Sequence, residues 1–272
     1  MALSDLIEYD AYMNYFLKTA DPFTQYNAII YKDHTPLMLC CQMGLLDKIK
    51  LLLNNPIVQL NAKGPETGET ALHHAVVSGN VEVVKILATR EDLVWNAVDK
   101  DGKPAHFLAM MAGNMEMLQL LVSYQAAIDW NIKIEGHPLI HANFYWRNEV
   151  LTGSRDQPIG ALHRMAIFDL LLQTPTLDWS AKNSNGHTLL GMALSQDDVE
   201  MMLFLIKKAP GMNYDLELNQ LSSFPLFLAH KSINRCLDRL ASAQLTHVFS
   251  EAVKFLEAAK RDHSRGYLFQ YY

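Results

Sequence analysis

The feature that most limits what this chain can fold into is a spacing. Gly68, Gly102 and Gly136 follow one another in steps of 34 residues. In the same register Ala75 returns as Ala109, Gly79 as Gly113, Asn80 as Asn114 and Glu82 as Glu116, so "ALHHAVVSGNVEVVKIL" lies over "AHFLAMMAGNMEMLQLL" without a gap. Upstream, "TPLMLCCQMGLLDKIKLLL" fits with Thr35 over Thr70 and Gly44 over Gly79. Downstream, "HTLLGMALSQDDVEMMLFLI" brings Thr188 to the threonine place and Val199-Glu200-Met201 over Val81-Glu82-Val83. A period of this length marks a stack of small units, none of which can bury its apolar face alone.

Each recurring residue has a local task. Thr35, Thr70 and Thr188 stand where a side-chain oxygen caps a helix whose first N–H groups have no intrahelical partner. Pro36 falls in the first turn, where its missing N–H costs nothing. Gly44, Gly79 and Gly113 end that helix at a point favouring positive φ, and a second helix begins at once. In the second helices Val81, Val84 and Leu87, or Leu118 and Leu121, recur at helical spacing and form a stripe that only a neighbouring unit can cover.

The pattern resembles the ankyrin repeat, with its turn glycine, Thr-Pro-Leu-His, first helix, glycine, second helix and Asp-Val-Asn-Ala-like exit. "HTPLMLCCQMG" and "GETALHHAVVSGN" match it closely, and "VWNAV", "DWNIK" and "DWSAK" occupy the exit. The resemblance covers about Tyr31 to Tyr214. It implies an all-α solenoid of about five helix-turn-helix repeats, at 31–66, 67–100, 101–134, 135–184 and 185–216, between a capping helix in 1–30 and a degenerate repeat with capping helices in 217–272. It also implies that His73, the histidine of the signature, hydrogen-bonds to neighbouring turns; its equivalents are Phe107, His141 and Gly191. His74 follows on the first helix, where the inner face of such an array lies.

The departures from the repeat are expected to carry the individual function. Gly136 to Gly186 spans 50 residues instead of 34, an excess of about 16 that falls between Asn143 and His163. It begins with Phe144, Tyr145, Trp146 and Arg147, residue types favoured as anchors at interfaces, and continues through turn formers. The alternative is that these aromatics pack back on their own repeat. Trp95, Trp130 and Trp179, with Leu60 and Tyr214, take the apolar place of the exit and are expected to form a ladder between layers. Arg147 and Asp197 replace the mid-repeat glycine, so those turns must be reshaped. Leu6, Met13, Phe16 and Leu17 give the first cap its stripe, and Val248, Val253, Phe255 and Leu256 the last; the aromatic end "GYLFQYY" is expected to pack on it.

Little in the chain suggests chemistry. The net charge is −6 and no basic run exceeds "AAKRDHSR", which argues against nucleic acid. The first residues, "MALSDLIEYD", lack the basic start of a signal peptide, and no apolar stretch approaches the roughly 18 residues of a membrane span. Cys40, Cys41 and Cys236 are odd in number, which fits buried thiols in a reducing interior. There is no phosphate loop, nucleophile elbow or His-Glu-x-x-His helix. His137 and His141 have the spacing of a zinc pair, but Pro138 lies between them. No catalytic residue, metal or cofactor is expected, and no segment outside the array is long enough for an enzyme.

The resemblance therefore implies a monomeric, non-catalytic module that binds a protein partner through its concave face, turn tips and insertion. The residues expected to carry contacts are His74, Lys100, Asp101, Met110, Phe144, Tyr145, Trp146, Arg147, Lys182 and Asn183. An irregular array rich in methionine and tyrosine is also similar to effectors that intracellular bacteria deliver into the cytosol of a host cell. An ordinary cytoplasmic adaptor of a eukaryote is the alternative, and an enzyme using the insertion and last helices a remote one.

Overall fold

The computed structural model describes residues 26–31, 33–142, 161–196 and 198–208, together with scattered helical positions in 11–18 and 234–261. It divides into two compact units, one with the described residues up to Asp129 and one beginning at Trp130.

Among its described residues the first unit has three helix pairs: α1 (Pro36–Met43) with α2 (Leu46–Leu53), α3 (Ala71–Val77) with α4 (Val81–Leu87), and α5 (Ala105–Ala112) with α6 (Met115–Ser123). Helices of seven to nine residues are too short to persist alone in water, so their ends and their packing must hold them. Thr35 accepts the N–H of Met38 at 3.3 Å, as expected of a cap. The second helices are capped by asparagines that sequence reasoning used only as register marks. Asn80 accepts from Val83 at 3.2 Å and Asn114 from Met117 at 3.0 Å. Between the helices of a pair the chain turns in the left-handed region: Gly79 has φ +73°, and a Cβ there would also stand 3.1 Å from the Asn114 amide.

The first helices α1, α3 and α5 pack side by side in one row and α2, α4 and α6 in a second. Leu37, Leu39, Leu72, Ala75, Phe107 and Ala109 are buried in one row, and Ile49, Val83, Val84, Leu87, Leu118 and Leu121 in the other. Each large side chain so enclosed contributes about 1.5–3 kcal/mol.

The layers are also joined by a hydrogen-bonded ladder. The exit asparagine Asn61 donates to the carbonyl of Asp92 at 2.6 Å and accepts the N–H of Val94 at 2.9 Å. Asn96 does the same with Ala127 (3.1 Å) and Asp129 (2.8 Å). Asn27 repeats the pattern with Ile57 and Gln59, both at 2.7 Å. Tyr26-Asn27, within the segment read as a cap, therefore makes the bonds of a repeat exit. Met13 and Phe16 are buried as expected, and Phe16 meets Tyr26 edge-on at 6.4 Å; Leu6 and Leu17 lie outside the described residues.

In the second unit a two-residue hairpin, β1 (Lys133–Ile134) and β2 (His137–Pro138), pairs Ile134 with His137 and leads into a 3-10 turn, Leu139–His141. Then come α7 (Ala161–Leu171), α8 (Leu189–Ser195) and α9 (Val199–Lys208). Thr188 caps α8 through the N–H of Gly191 at 3.2 Å, and Asp198 caps α9 through Met201 at 3.1 Å. Asn131 makes the same kind of clamp within this unit, to Thr176 and Asp178, each at 2.8 Å. Leu60, Trp130 and Trp179 are buried as expected. Trp95 differs: it is half-exposed and stacks on Tyr124 at 4.6 Å. Arg147, Asp197, Tyr214, Cys236, Val248, Val253, Phe255, Leu256 and the aromatic end lie outside the described residues.

Candidate functional site

The turn tips show how exposed side chains sit on a fixed backbone. The Asp33 carboxylate, in the tip before α1, accepts the N–H groups of Glu66 (2.6 Å) and Thr67 (2.8 Å) and the Thr67 hydroxyl. Burial would raise its pKa, but those three donors outweigh it and hold the carboxyl below its usual range. The Lys100 N–H then donates to the Thr67 carbonyl at 2.9 Å, linking the next tip. Within that tip Asp99 accepts from Asp101 (2.9 Å) and Lys103 (2.8 Å). Lys100 and Asp101 therefore sit on a backbone bonded to the neighbouring turn at Thr67 and to Asp99 within their own, and both are exposed as expected. Lys103 ties its ammonium to Asp101 at 3.1 Å.

In the second unit Lys182 is exposed, but Asn183 is buried. Its Oδ1 accepts the N–H groups of Asn185 and His187, both at 2.9 Å, so Asn183 builds the tip and is not a surface contact.

The first helices of the first unit contain no Asp, Glu, Lys or Arg. Val77, at the end of α3, is 59% exposed, and Met111 is half-exposed. Met110, expected on this face, is instead fully buried, because the helix turns it into the stack. His74 is also buried: its ring lies on His34 at 4.4 Å between centroids, and Nε2 is 3.5 Å from the Glu69 carboxylate. Burial first, then the His34 and His73 rings, pushes His74 down to about 3, so it is neutral and structural. Phe144, Tyr145, Trp146 and Arg147 lie outside the described residues.

His73 performs the role implied by the resemblance. Nδ1 accepts the Thr70 N–H at 3.2 Å, and Nε2 reaches the Lys103 carbonyl of the next tip at 3.1 Å. Met38, at the same place in the preceding repeat, repeats only the first half, its sulfur accepting the Thr35 N–H at 3.4 Å. Two residues were missed by sequence reasoning although the register contained them. One is the exit asparagine, visible as the series "YNA", "LNA", "WNA", "WNI". The other is His106, which takes the buried leucine place held by Leu37 and Leu72, and whose ring burial drives down to about 3.

Several groups with reactive potential are enclosed among the described residues. Cys40 and Cys41 form no disulfide and have no exposed surface, and burial pushes Cys41 well above the usual thiol range, away from thiolate chemistry. His141 is buried and held to about 4, by burial first and the neighbouring His137 second. Among the described residues no cluster of three or more His, Cys, Asp or Glu could hold a metal ion, and no helix is long and apolar enough to cross a membrane.

The family model for ankyrin repeats, in three copies, matches residues 7–97. Its start agrees with a repeat ending at Tyr26-Asn27. A search of the curated proteins finds no match. Among solved structures, the ankyrin repeat domain of Bcl-3, described as a unique member of the IkappaB protein family, is similar with a TM-score of 0.56 at 18% identity, over 76% of this chain and 82% of that one. At that identity the likeness speaks for the fold. The family model thus marks ankyrin repeats in the first third of the chain, and the described helix pairs have the ankyrin repeat fold.

Proposed function

We propose that the chain is a non-catalytic module that holds a protein partner against its turn tips and first-helix face. The observation that carries this reading is the tip geometry: Lys100 and Asp101 are exposed while their backbone is clamped to Thr67 and Asp99. Side chains on a pre-ordered backbone lose little conformational freedom on binding, which favours affinity. The uncharged first helices beside them supply apolar area, and a standard contact needs about 800 Å² on each side. Lys182 and the segment Phe144–Arg147 belong to the proposed surface of the second unit.

Charge reversal at Lys100 and Lys182 combined with Trp146→Ala tests it. Affinity capture from lysate should lose a partner that the unaltered chain retains, with thermal unfolding nearly unchanged; undiminished capture by the triple variant removes the assigned surface. We further propose that the partner is a host-cell protein met in the host cytosol, with the chain acting as a bacterial effector. Support for this comes from the irregular array alone. A translocation reporter fused to the full chain should reach the host cytosol, and failure to do so returns the reading to a cytoplasmic adaptor.

A further inference from the structure

The last described repeat is joined to its neighbour differently from the others. Asn131 clamps Thr176 and Asp178 with both ends of its amide. The next exit carries Ser180 in that place. A serine hydroxyl can donate and accept, but it lacks the reach and the two separate polar atoms of the amide clamp. Its hydroxyl is turned instead on its own loop, donating to Asp178 Oδ1 at 2.7 Å, and its N–H donates to the same oxygen at 2.9 Å.

Charge takes over where the amide stops. Arg164 of α7 meets Asp198, at the start of α9, at 2.9 Å, with side chains only 8% and 13% exposed. At the other end of α9, Lys208 pairs with Asp169 of α7 and lies 5.2 Å over the Phe204 ring. Between the two pairs Phe168 meets Trp179 and Phe204 at 6.1 and 6.3 Å. An amide clamp is indifferent to ionic conditions. An exposed charge pair weakens with salt, and a buried one fails badly when one partner is neutralised, because the other charge is left buried and uncompensated.

We propose that α8 and α9 form a releasable repeat, latched to α7 by Arg164–Asp198 and Lys208–Asp169, that opens as a unit when either pair is weakened. Opening uncovers Phe168 of α7 and the Trp179 ring beside it, so an apolar surface becomes available only in the unlatched form.

Hydrogen–deuterium exchange on the full chain tests this, using Asp198→Asn, which keeps an oxygen to cap Met201 while removing the charge. Peptides from 189–208 should exchange about tenfold faster or more in the variant, with peptides from 36–123 unchanged. In the unaltered chain the same peptides should exchange faster in about 1 M salt than at low salt, as the Lys208–Asp169 pair is screened. Unchanged exchange in 189–208 under both perturbations overturns the latch. An equal rise across 36–123 also overturns it, since that is general unfolding. Should the variant fail to fold, the salt series on the unaltered chain decides alone.

Discussion

His106→Leu isolates what a buried histidine does to this array. The residue sits where the neighbouring repeats place leucine and is 1% exposed. Burial holds its ring down to about 3, with His73 adding to that and a backbone hydrogen bond at Asp129 opposing it. A histidine in the unfolded chain titrates near 6.5. Above that value the ring is neutral in both states and the site is silent to pH. Below it the unfolded chain binds a proton that the folded ring refuses, so stability falls as pH falls, and it continues to fall until the folded pKa is reached. At pH 5 the interval is about 1.5 units at 1.36 kcal/mol each, or about 2 kcal/mol for this one side chain. Leucine, close in size and unable to titrate, removes that loss, at the expense of the Asp129 hydrogen bond at every pH. Urea unfolding of both proteins at pH 8 and pH 5 measures it. The stability gap between variant and native chain should widen by about 2 kcal/mol in favour of the variant on acidification, roughly 1 M in midpoint. A gap equal at the two pH values would show that burial does not keep His106 neutral.

Other substitutions probe the ladder and the turns. Asn96→Ala removes two hydrogen bonds whose partners water can reach, so urea unfolding should show a loss of about 1–2 kcal/mol. Trp130→Ala empties an enclosed site and should lose about 3–5 kcal/mol. Trp95→Ala, at a half-exposed site, should lose clearly less in the same measurement. Gly79→Ala forces a side chain into the left-handed region at φ +73°, and calorimetry should register about 1–2 kcal/mol of destabilisation.

The helix pairs were legible because their signals are local and repeated. A threonine before a helix and a glycine after it act within one turn, so Thr35, Thr188 and Gly79 performed as read. The exit asparagines were harder to interpret, since their partners lie about one repeat away and only the series of four reveals the ladder. Which face of a short helix meets solvent was not legible. Met110 and Met111 are adjacent, yet one is enclosed and the other half-exposed, a difference set by the rotation of α5 against α3. His74 was misplaced for a related reason, because its burial comes from His34, which the register could not bring beside it. Asn183 looked like a tip side chain because asparagine favours turns, and it does build one, by facing inward.

The reach of Asn131 differs from that of Asn96 only along the chain. Asn96 spans 31 and 33 residues to its two partners, whereas Asn131 spans 45 and 47 and makes the same pair of bonds. Neighbouring layers are thus gauged by contacts and not by residue number. Because closing a longer loop adds only a fraction of a kcal/mol, the fourth repeat is a place where sequence can be gained or trimmed while the layers keep their distance. Evolution has there a site for trying new surface at small thermodynamic risk.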